Sequence, residues 1–180
     1  KIFSVERALL SFFGFPAYGI HLNGWRESSD KILFLLAKRS KNLIKFPGMY
    51  DNLVGGGQPS QISLQKNLEK ESWEEAGISQ DYLKNAIFSK AVKYMHTTDN
   101  FLSSAIIFIY NLKILKHMKF QNKDGEIENF RYFTIDEIYK LIDNKKLKPN
   151  SLLPILDLLV KNKSDYFTKS ALKEIKTFLN

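Results

Sequence analysis

Three glutamates that could bind a metal ion lie within one short segment of the chain. If this segment is helical, Glu71, Glu74 and Glu75 fall within an arc of roughly 100°. Like charges at that spacing raise one another's pKa values unless a cation lies among them. A divalent metal ion would be such a cation, and a hydrated acidic helix face is the alternative. The spacing therefore predicts either a metal site or an acidic surface.

The residue types in the chain restrict which metal ion could bind. There is no cysteine, and the 3 histidines are scattered through the sequence. Carboxylates without thiolates or clustered imidazoles favour Mg²⁺ or Mn²⁺ over zinc. Mg²⁺ usually binds one or two carboxylates and completes its coordination with water and substrate phosphate. These ligands therefore indicate hydrolysis of a diphosphate by metal-activated water.

The residues around the glutamates predict the elements that would hold them. A short strand over 51–54 leads into the three glycines of Gly55–Gly57. Ser63 is a favourable N-cap and Gly77 is a typical helix stop, so we predict a helix between them. The residues of this helix that are expected to face the core are Leu64, Leu68 and Ser72.

Apolar runs rich in β-branched and aromatic residues predict further strands. These strands are expected over 32–37, 86–94, 104–112 and 127–133. The Asn23-Gly24 dipeptide is typical of a turn. Residues 27–30 are expected to form the loop of a hairpin that leads into the strand over 32–37.

Helical periodicity is present in the last third of the chain. Thr134 and Ser151 are expected to cap two helices, and the predicted helical spans are 135–143, 151 to about 160, and about 166–179. Strands with helices on both sides predict the α/β class, as an α/β/α sandwich with a mixed sheet. We expect residues 1–180 to form a single domain with a helical C-terminal extension over about 150–180.

The segment from Gly56 to Ile78 resembles the Nudix box. On that pattern Glu71 follows the basic position, and Glu74 and Glu75 form the acidic pair. We interpret the segment as a variant box whose metal-side carboxylates are intact. The positions that depart from the pattern are Ile62 for glutamate, Lys70 for arginine and Ser72 for an apolar residue.

The resemblance implies a role for each matched residue. Glu71 and Glu75 would bind the metal ion, and Glu74 would be another ligand or a base. The carbonyl group of Gly55 would complete the ligands from this segment. Lys70 would orient the adjacent glutamate less firmly than arginine does. In this family a later loop often adds a carboxylate, for which the candidates are Glu126 and Glu128; an acidic turn is the alternative.

Candidate substrate-binding residues flank the same glycines. Lys38 and Arg39 precede a loop and could bind phosphate, although a hydrated basic loop is the alternative. Phe46, Tyr50 and Tyr94 could stack on a flat ring, although aromatic residues more often belong to a core. The remaining candidates are Asn52, Gly56, Gly57 and, at a strand end, His96.

A longer pattern resembles one branch of the Nudix family. Residues 46–57 read FPGMYDNLVGGG, and 124–130 and 148–150 support the match. These segments are similar to the thiamine pyrophosphokinase-related Nudix group, whose longer members carry an extra N-terminal region. The resemblance implies hydrolysis of thiamine diphosphate, or of its damaged oxo and oxy forms, to the monophosphate. The alternatives are a Nudix hydrolase of nucleoside diphosphate derivatives and a degenerate module that binds a phosphorylated ligand without turnover.

Composition gives expectations about partners and location. The net charge is +8, but the lysines are spread out, so we expect a small-molecule diphosphate as partner and no nucleic acid. The apolar run over 8–15 is too short to span a bilayer, and no export signal is evident. We therefore expect a cytoplasmic protein that does not enter a membrane. Because the chain begins with Lys1, an N-terminal piece could be missing.

Overall fold

The computed structural model describes residues 4–29, 31–98 and 101–180. Within these residues, seven strands form one sheet. The strands are β1 Ala17–Ser28, β2 Lys31–Arg39, β3 Tyr50–Asp51, β4 Val54–Gly57, β5 Ile87–Thr98, β6 Phe101–Lys113 and β7 Ile127–Phe133. The helices are α1 Leu64–Ala76, α2 Gln80–Leu83, α3 Ile135–Asp143, α4 Leu152–Asn162 and α5 Lys169–Phe178.

β1 organises the sheet because both of its edges are paired. One edge runs parallel to β6. The other edge is shared, since its first half pairs antiparallel with β4 and its second half pairs antiparallel with β2. β2 then pairs antiparallel with β3 and β7, and β5 pairs antiparallel with β6. The predicted mixed sheet is confirmed.

The two faces of the sheet pack against different helices. Ile20 and Leu22 of β1 lie in one buried cluster with Leu68 of α1. Phe34 of β2 lies in a second cluster with Ile138 of α3 and Ile155 of α4. These two clusters confirm the predicted α/β/α sandwich.

The predicted turn at Asn23-Gly24 is wrong, because β1 continues through both residues. Gly24 pairs with Leu35, and Asn23 is buried with its side-chain amide donating to Asn111 and to the carbonyl of Pro154. The chain instead reverses between Ser28 and Lys31, within the predicted hairpin loop. Asp30 of that loop lies outside the described residues. Asn23 and Gly24 therefore form no turn, and their role in the strand is packing and buried hydrogen bonding.

The predicted helix starts are confirmed in part. Thr134 accepts a hydrogen bond from Glu137 N, as expected for a cap. Ser151 precedes α4 but its side chain caps nothing, because its hydroxyl donates to the buried carboxylate of Asp51. The last helix begins at Lys169 rather than near 166, because Thr168 is its N-cap. Sequence analysis did not anticipate the short helix α2.

The replacement of Gly24 by valine tests why glycine occurs within β1. A β-carbon at this position would lie 2.5 Å from Cδ2 of Leu53 and 3.2 Å from its Cβ. We expect Gly24→Val to lower the free energy of unfolding by about 1–3 kcal/mol, because overpacking displaces a buried side chain. Urea denaturation measures this change.

A double variant provides the control for that contact. Leu53→Ala removes the atoms that valine would meet, so Gly24→Val should cost less in the Leu53→Ala background than in the parent chain. Strict additivity of the two changes would contradict the close packing of Gly24 on Leu53.

Candidate active site

Helix α1 has the boundaries needed to hold the three glutamates in place. Its N-cap Ser63 accepts a hydrogen bond from Lys66 N at 3.2 Å. At its end, Gly77 adopts a left-handed conformation with φ of 66°. Leu68 and Ser72 are buried, so this side of the helix is fixed against the sheet. The predicted helix and its glycine stop are confirmed. The predicted strand over 51–54 and the glycine turn are wrong, because Asp51 ends β3 and the three glycines belong to β4, where they pair antiparallel with β1.

Gly56 allows α1 to approach β4 closely. Gly55 N donates to Oε2 of Glu75 at 3.0 Å. A β-carbon at Gly56 would overlap the carboxyl group of Glu71. Because a larger residue at position 56 would displace this carboxylate, glycine is required for the geometry. The structure thus brings Gly55, Gly56, Glu71 and Glu75 together.

The environment of these carboxylates disfavours their charged forms. Glu75 is only 5% exposed. Its burial raises the pKa to about 8, and the charges of Asp51 and Glu71 act in the same direction against the hydrogen bond from Gly55. Burial also raises the pKa of Glu71, to which the nearby charges of Glu74 and Glu126 contribute. Both groups would be stabilised as anions by an added cation.

Lys70 is the counter-charge at the exposed side of this cluster. Its ammonium group donates to Oε1 of Glu71 at 3.1 Å and to Oε2 of Glu74 at 2.7 Å. The hydrogen bond to Glu74 is the largest influence on the pKa of Lys70 and raises it, and the hydrogen bond to Glu71 acts in the same direction. Burial lowers this pKa by less than the two hydrogen bonds raise it. The lysine at the variant position therefore reaches both glutamates.

The donor atoms at this position fit a hard divalent cation. All side-chain donors are carboxylate oxygens, and Glu75 is buried with a raised pKa that a bound cation would relieve. Among the side chains that the structure describes, no three His, Cys, Asp or Glu groups are already gathered as a metal site. Lys70 binds two of the predicted ligands in this arrangement.

The two later carboxylates have different surroundings. Glu128 forms an ion pair with Lys38 at 2.8 Å and accepts a hydrogen bond from Lys41 N. Glu126 precedes β7, and its charge is among those that raise the pKa of Glu71. Glu126 itself lies outside β7, which begins at residue 127. The structure therefore groups Glu126 with α1 and pairs Glu128 with Lys38.

A second buried carboxylate, Asp51, was not singled out by the sequence analysis. It accepts hydrogen bonds from Lys148 Nζ and Ser151 Oγ, each at 2.5 Å, and from Asn52 N at 2.8 Å. Burial alone would raise the pKa of Asp51, but the Lys148 charge and these hydrogen bonds lower it to about 2. Asp51 is therefore fully compensated, unlike Glu75.

The partners of Asp51 include two predicted substrate-binding residues. Arg39 Nη1 lies 3.6 Å from Oδ2 of Asp51, and its Nη2 donates to Lys45 O. Asn52 is 1% exposed, and its side chain bonds to His21, Asn23 and the carbonyl of Ser151. The structure places Asn52 within the protein interior, where it supports its neighbours and has no surface for a ligand.

A chain of polar groups connects Asn52 to Tyr94. Nδ1 of His21 donates to Oδ1 of Asn52 at 2.6 Å, which leaves Nε2 as an acceptor 3.4 Å from Nδ2 of Asn150. Asn150 also donates to the hydroxyl of Tyr94 at 3.0 Å. Burial, reinforced by the Lys148 charge, lowers the pKa of His21 to about 4, so its ring is neutral at pH 7. Spacing along the chain gave no signal for this connection.

The predicted stacking residues are distributed over several surfaces. Tyr94 stacks with the exposed ring of His96, with their centroids 5.7 Å apart. Tyr50 packs edge-on against Phe133 beside a core cluster, so it belongs to the interior. Phe46 is exposed in the loop with a positive φ of 53°. Only Tyr94 of these aromatic residues is linked to the polar chain that reaches Asp51.

Arg7 lies against Gly57, the last residue of β4. It belongs to a single 3₁₀ turn, Arg7–Leu9, before β1. A β-carbon at Gly57 would overlap its guanidinium group. Sequence analysis missed Arg7, because nothing in the local pattern indicates that this turn reaches β4.

Most of this chain matches a known protein family. The sequence profile of the NUDIX domain matches residues 24–155. This chain belongs to the Nudix family, and the predicted resemblance is confirmed at that level. The thiamine-related branch stays a prediction.

Two curated relatives come from Arabidopsis thaliana. The chain is 37% identical to Nudix hydrolase 20, chloroplastic, over 89% of its own length and 43% of that protein. It is 34% identical to Nudix hydrolase 24, chloroplastic, over 89% of its length and 44% of that protein. The chain thus spans less than half the length of each. The names of both relatives place them in chloroplasts, so the expected cytoplasmic location stays a prediction.

Solved structures show the same fold at low sequence identity. The NUDIX domain of Shewanella oneidensis NrtR, complexed with ADP ribose, has a TM-score of 0.61 and 13% identity, covering 86% of this chain and 97% of that one. A NUDIX hydrolase from Nitrosomonas europaea has a TM-score of 0.58 and 18% identity, covering 85% and 96%. In the part of the chain that is described, no helix is long and apolar enough to cross a membrane.

The neutral state of His21 predicts a dependence of stability on pH. Its pKa is about 4 in the folded protein and near 6.5 when unperturbed. The unfolded chain therefore binds a proton first as the pH falls from 6.5 to 4, and the stability present at neutral pH is lost over that range. For His21 alone the loss corresponds to about 3 kcal/mol. Glu75, whose pKa burial raises to about 8, acts in the opposite direction over this range. The His21 contribution is therefore the difference between the parent chain and a variant without His21 in urea denaturation at pH 7.5 and 4.5.

The variant His21→Asn isolates this contribution. Asparagine cannot titrate and can still donate to Asn52, so the variant should lose less stability on acidification than the parent chain. His117→Asn is the matched control, because His117 is exposed and should leave the pH dependence unchanged. An equal pH dependence in the parent chain and in His21→Asn would contradict the assignment.

Proposed function

We propose that this chain is a Mg²⁺- or Mn²⁺-dependent hydrolase of a phosphoanhydride bond in a small-molecule diphosphate. The observation that carries the proposal is the contact between α1 and β4. There Glu75 is buried against the N–H group of Gly55, and Glu71 lies against Gly56. Residues 1–180 would act as one Nudix domain that includes the helical part over about 150–180.

The residues of α1 and its neighbours would divide the chemical roles. Glu71, Glu75 and the carbonyl group of Gly55 would hold the divalent ion, with Glu126 as the further carboxylate. A bound ion would neutralise diphosphate charge and lower the pKa of a water molecule. Glu74 would accept the proton of the attacking water or serve as another ligand.

Lys70 would position its two partners. Its ammonium group donates to both Glu71 and Glu74. Burial raises the pKa of Glu71, and Lys70 opposes that effect. An ionised Glu74 can accept a proton, as a general base must. Lysine lacks the planar fork of arginine, so it holds the two carboxylates less rigidly than the usual residue would.

The proposed substrate is thiamine diphosphate or one of its damaged oxo or oxy forms. The run over 46–57 and residues 148–150 support this choice through their similarity to the thiamine-related branch. Attack of water on the terminal phosphorus would break the phosphoanhydride bond and release the monophosphate and inorganic phosphate. The second candidate is a nucleoside diphosphate derivative, since a protein of similar fold is complexed with ADP ribose.

Substitution of the α1 glutamates tests the proposed metal site. Glu71→Gln and Glu75→Gln each remove an anionic ligand while keeping the side-chain shape. We expect kcat to fall by on the order of 100-fold or more, because several kcal/mol of transition-state stabilisation are lost. Phosphate release with Mg²⁺ measures the rate.

Glu69→Gln is the matched control on the same helix. Glu69 bonds to Gln65 and Gln80 and contacts none of the proposed ligands. This variant should retain the parent rate. Near-normal turnover by Glu71→Gln, with calorimetry showing unchanged Mg²⁺ binding, would contradict the proposed ligand role.

A substrate screen decides between the two candidate substrate classes. With Mg²⁺ present, thiamine diphosphate and its oxo and oxy analogues should be hydrolysed with higher kcat/KM than ADP ribose or nucleoside diphosphates. The products are separated by chromatography, because cleavage of ADP ribose gives AMP and ribose 5-phosphate and no inorganic phosphate. The reverse order would favour the second candidate. Tight binding of one compound without turnover of any would support a degenerate binding module and would overturn the proposed hydrolase.

A further inference from the structure

The N-terminal 3₁₀ turn brings the positive charge of Arg7 to the glycines of β4. The guanidinium group of Arg7 occupies the position where a β-carbon of Gly57 would lie. Glycine at 57 therefore leaves the space that Arg7 takes. This contact joins two segments separated by the whole of β1, β2 and β3.

Arg7 differs from the other cations around the site in its lack of a carboxylate partner. Within residues 4–29, 31–98 and 101–180, the structure shows no ion pair or hydrogen bond for the guanidinium group of Arg7, whose backbone carbonyl accepts from Leu10 N. Four other cations near the site do have such partners: Lys70 binds Glu71 and Glu74, Lys148 and Arg39 bind Asp51, and Lys38 binds Glu128.

Arg7 also lies near Tyr94 of β5. Burial raises the pKa of the Tyr94 hydroxyl, and both Asn150 and the Arg7 charge oppose that effect. Arg7 is thus close enough to Tyr94 for their charges to interact. Arg7 is exposed, and its guanidinium group lies near two groups of the candidate site, Gly57 and the hydroxyl of Tyr94.

We propose that Arg7 binds a phosphate group of the diphosphate substrate, and that Gly57 is required to leave room for it. The proposal rests on the proposed function. A guanidinium group donates two parallel hydrogen bonds to phosphate oxygens and is less strongly hydrated than an ammonium group. The absence of an internal carboxylate leaves its donors available to a ligand. Arg7 is in this sense a substrate-binding residue supplied from outside the Nudix box.

Two single variants disrupt the same contact in different ways. Arg7→Ala removes the charge, whereas Gly57→Ala keeps the charge but displaces the guanidinium. Each should raise KM for the diphosphate by about 10-fold, the expected loss of one charged hydrogen-bonded contact. kcat should change less than KM, because the carboxylates of α1 remain in place.

A double variant tests whether Gly57 acts through Arg7. In the Arg7→Ala background, Gly57→Ala should add little to the rise in KM, because no guanidinium remains to be displaced. Full additivity would overturn the part of the proposal that concerns Gly57. Arg7→Lys should recover part of the affinity, since lysine keeps the charge without the planar fork.

Arg131→Ala is the matched control for loss of one positive charge. Arg131 is exposed and pairs with Glu137 of α3, and we expect the parent KM in this variant. An equal rise in KM for Arg131→Ala and Arg7→Ala would indicate only a general effect of net charge and would overturn the proposal. Thermal melting of all variants checks that folding is retained.

Binding of inorganic pyrophosphate separates this proposal from the proposed function. Calorimetry with Mg²⁺ should show about 10-fold weaker pyrophosphate binding by Arg7→Ala than by the parent chain. If the parent binds pyrophosphate but hydrolyses no diphosphate, the hydrolase assignment fails while the role of Arg7 is still tested. Equal affinity of the two chains, or no binding by the parent, would overturn the role of Arg7.

Discussion

The close approach of α1 to β4 is the constraint on which the candidate site depends. Gly56 has no side chain, so the helix can place Glu71 beside the strand, and Glu75 accepts a hydrogen bond from the N–H group of Gly55. The same contact excludes water from Glu75 and raises its pKa to about 8, chiefly through burial. Folding thus creates two carboxylates whose ionisation is unfavourable without an additional cation.

Two buried acids in this protein illustrate different solutions to the burial of charge. Asp51 is held by Lys148, Ser151 and the N–H group of Asn52, so it remains ionised with a pKa of about 2. Glu75 receives one backbone hydrogen bond and lies near other negative charges. Complete compensation is typical of a structural role, whereas incomplete compensation in a cleft is typical of a functional site. The contrast supports assigning Asp51 to the scaffold and Glu75 to the chemistry.

Three residues that were expected to contact substrate have partners within the protein. Asn52 and Arg39 bond to groups inside the protein, and Lys38 pairs with Glu128. Arg7 differs from these three residues, since it is exposed and contacts Gly57 from a distant part of the chain. Folding therefore decides which cations near the site have an anionic partner within the protein.

The sequence by itself determined the local part of this protein. Helix α1, its two ends and the common face of its glutamates follow from spacing and capping within a few residues. The α/β/α class followed from the order of strands and helices. By contrast, the Asn23-Gly24 dipeptide was misassigned as a turn because Leu53 and Asn111, which explain it, lie far along the chain.

Only the tertiary structure decided how the charges are distributed among partners. Lys148 and Asp51 are 97 residues apart, and their pairing requires β3 to meet the turn before α4. The contact of Arg7 with Gly57 likewise arises from the path of the chain around β1 and β4. Hydrogen bonds and ion pairs act over a few ångströms in space whatever the separation in sequence. Local patterns therefore identified the acidic helix, whereas the partners of the buried acids emerged only on folding.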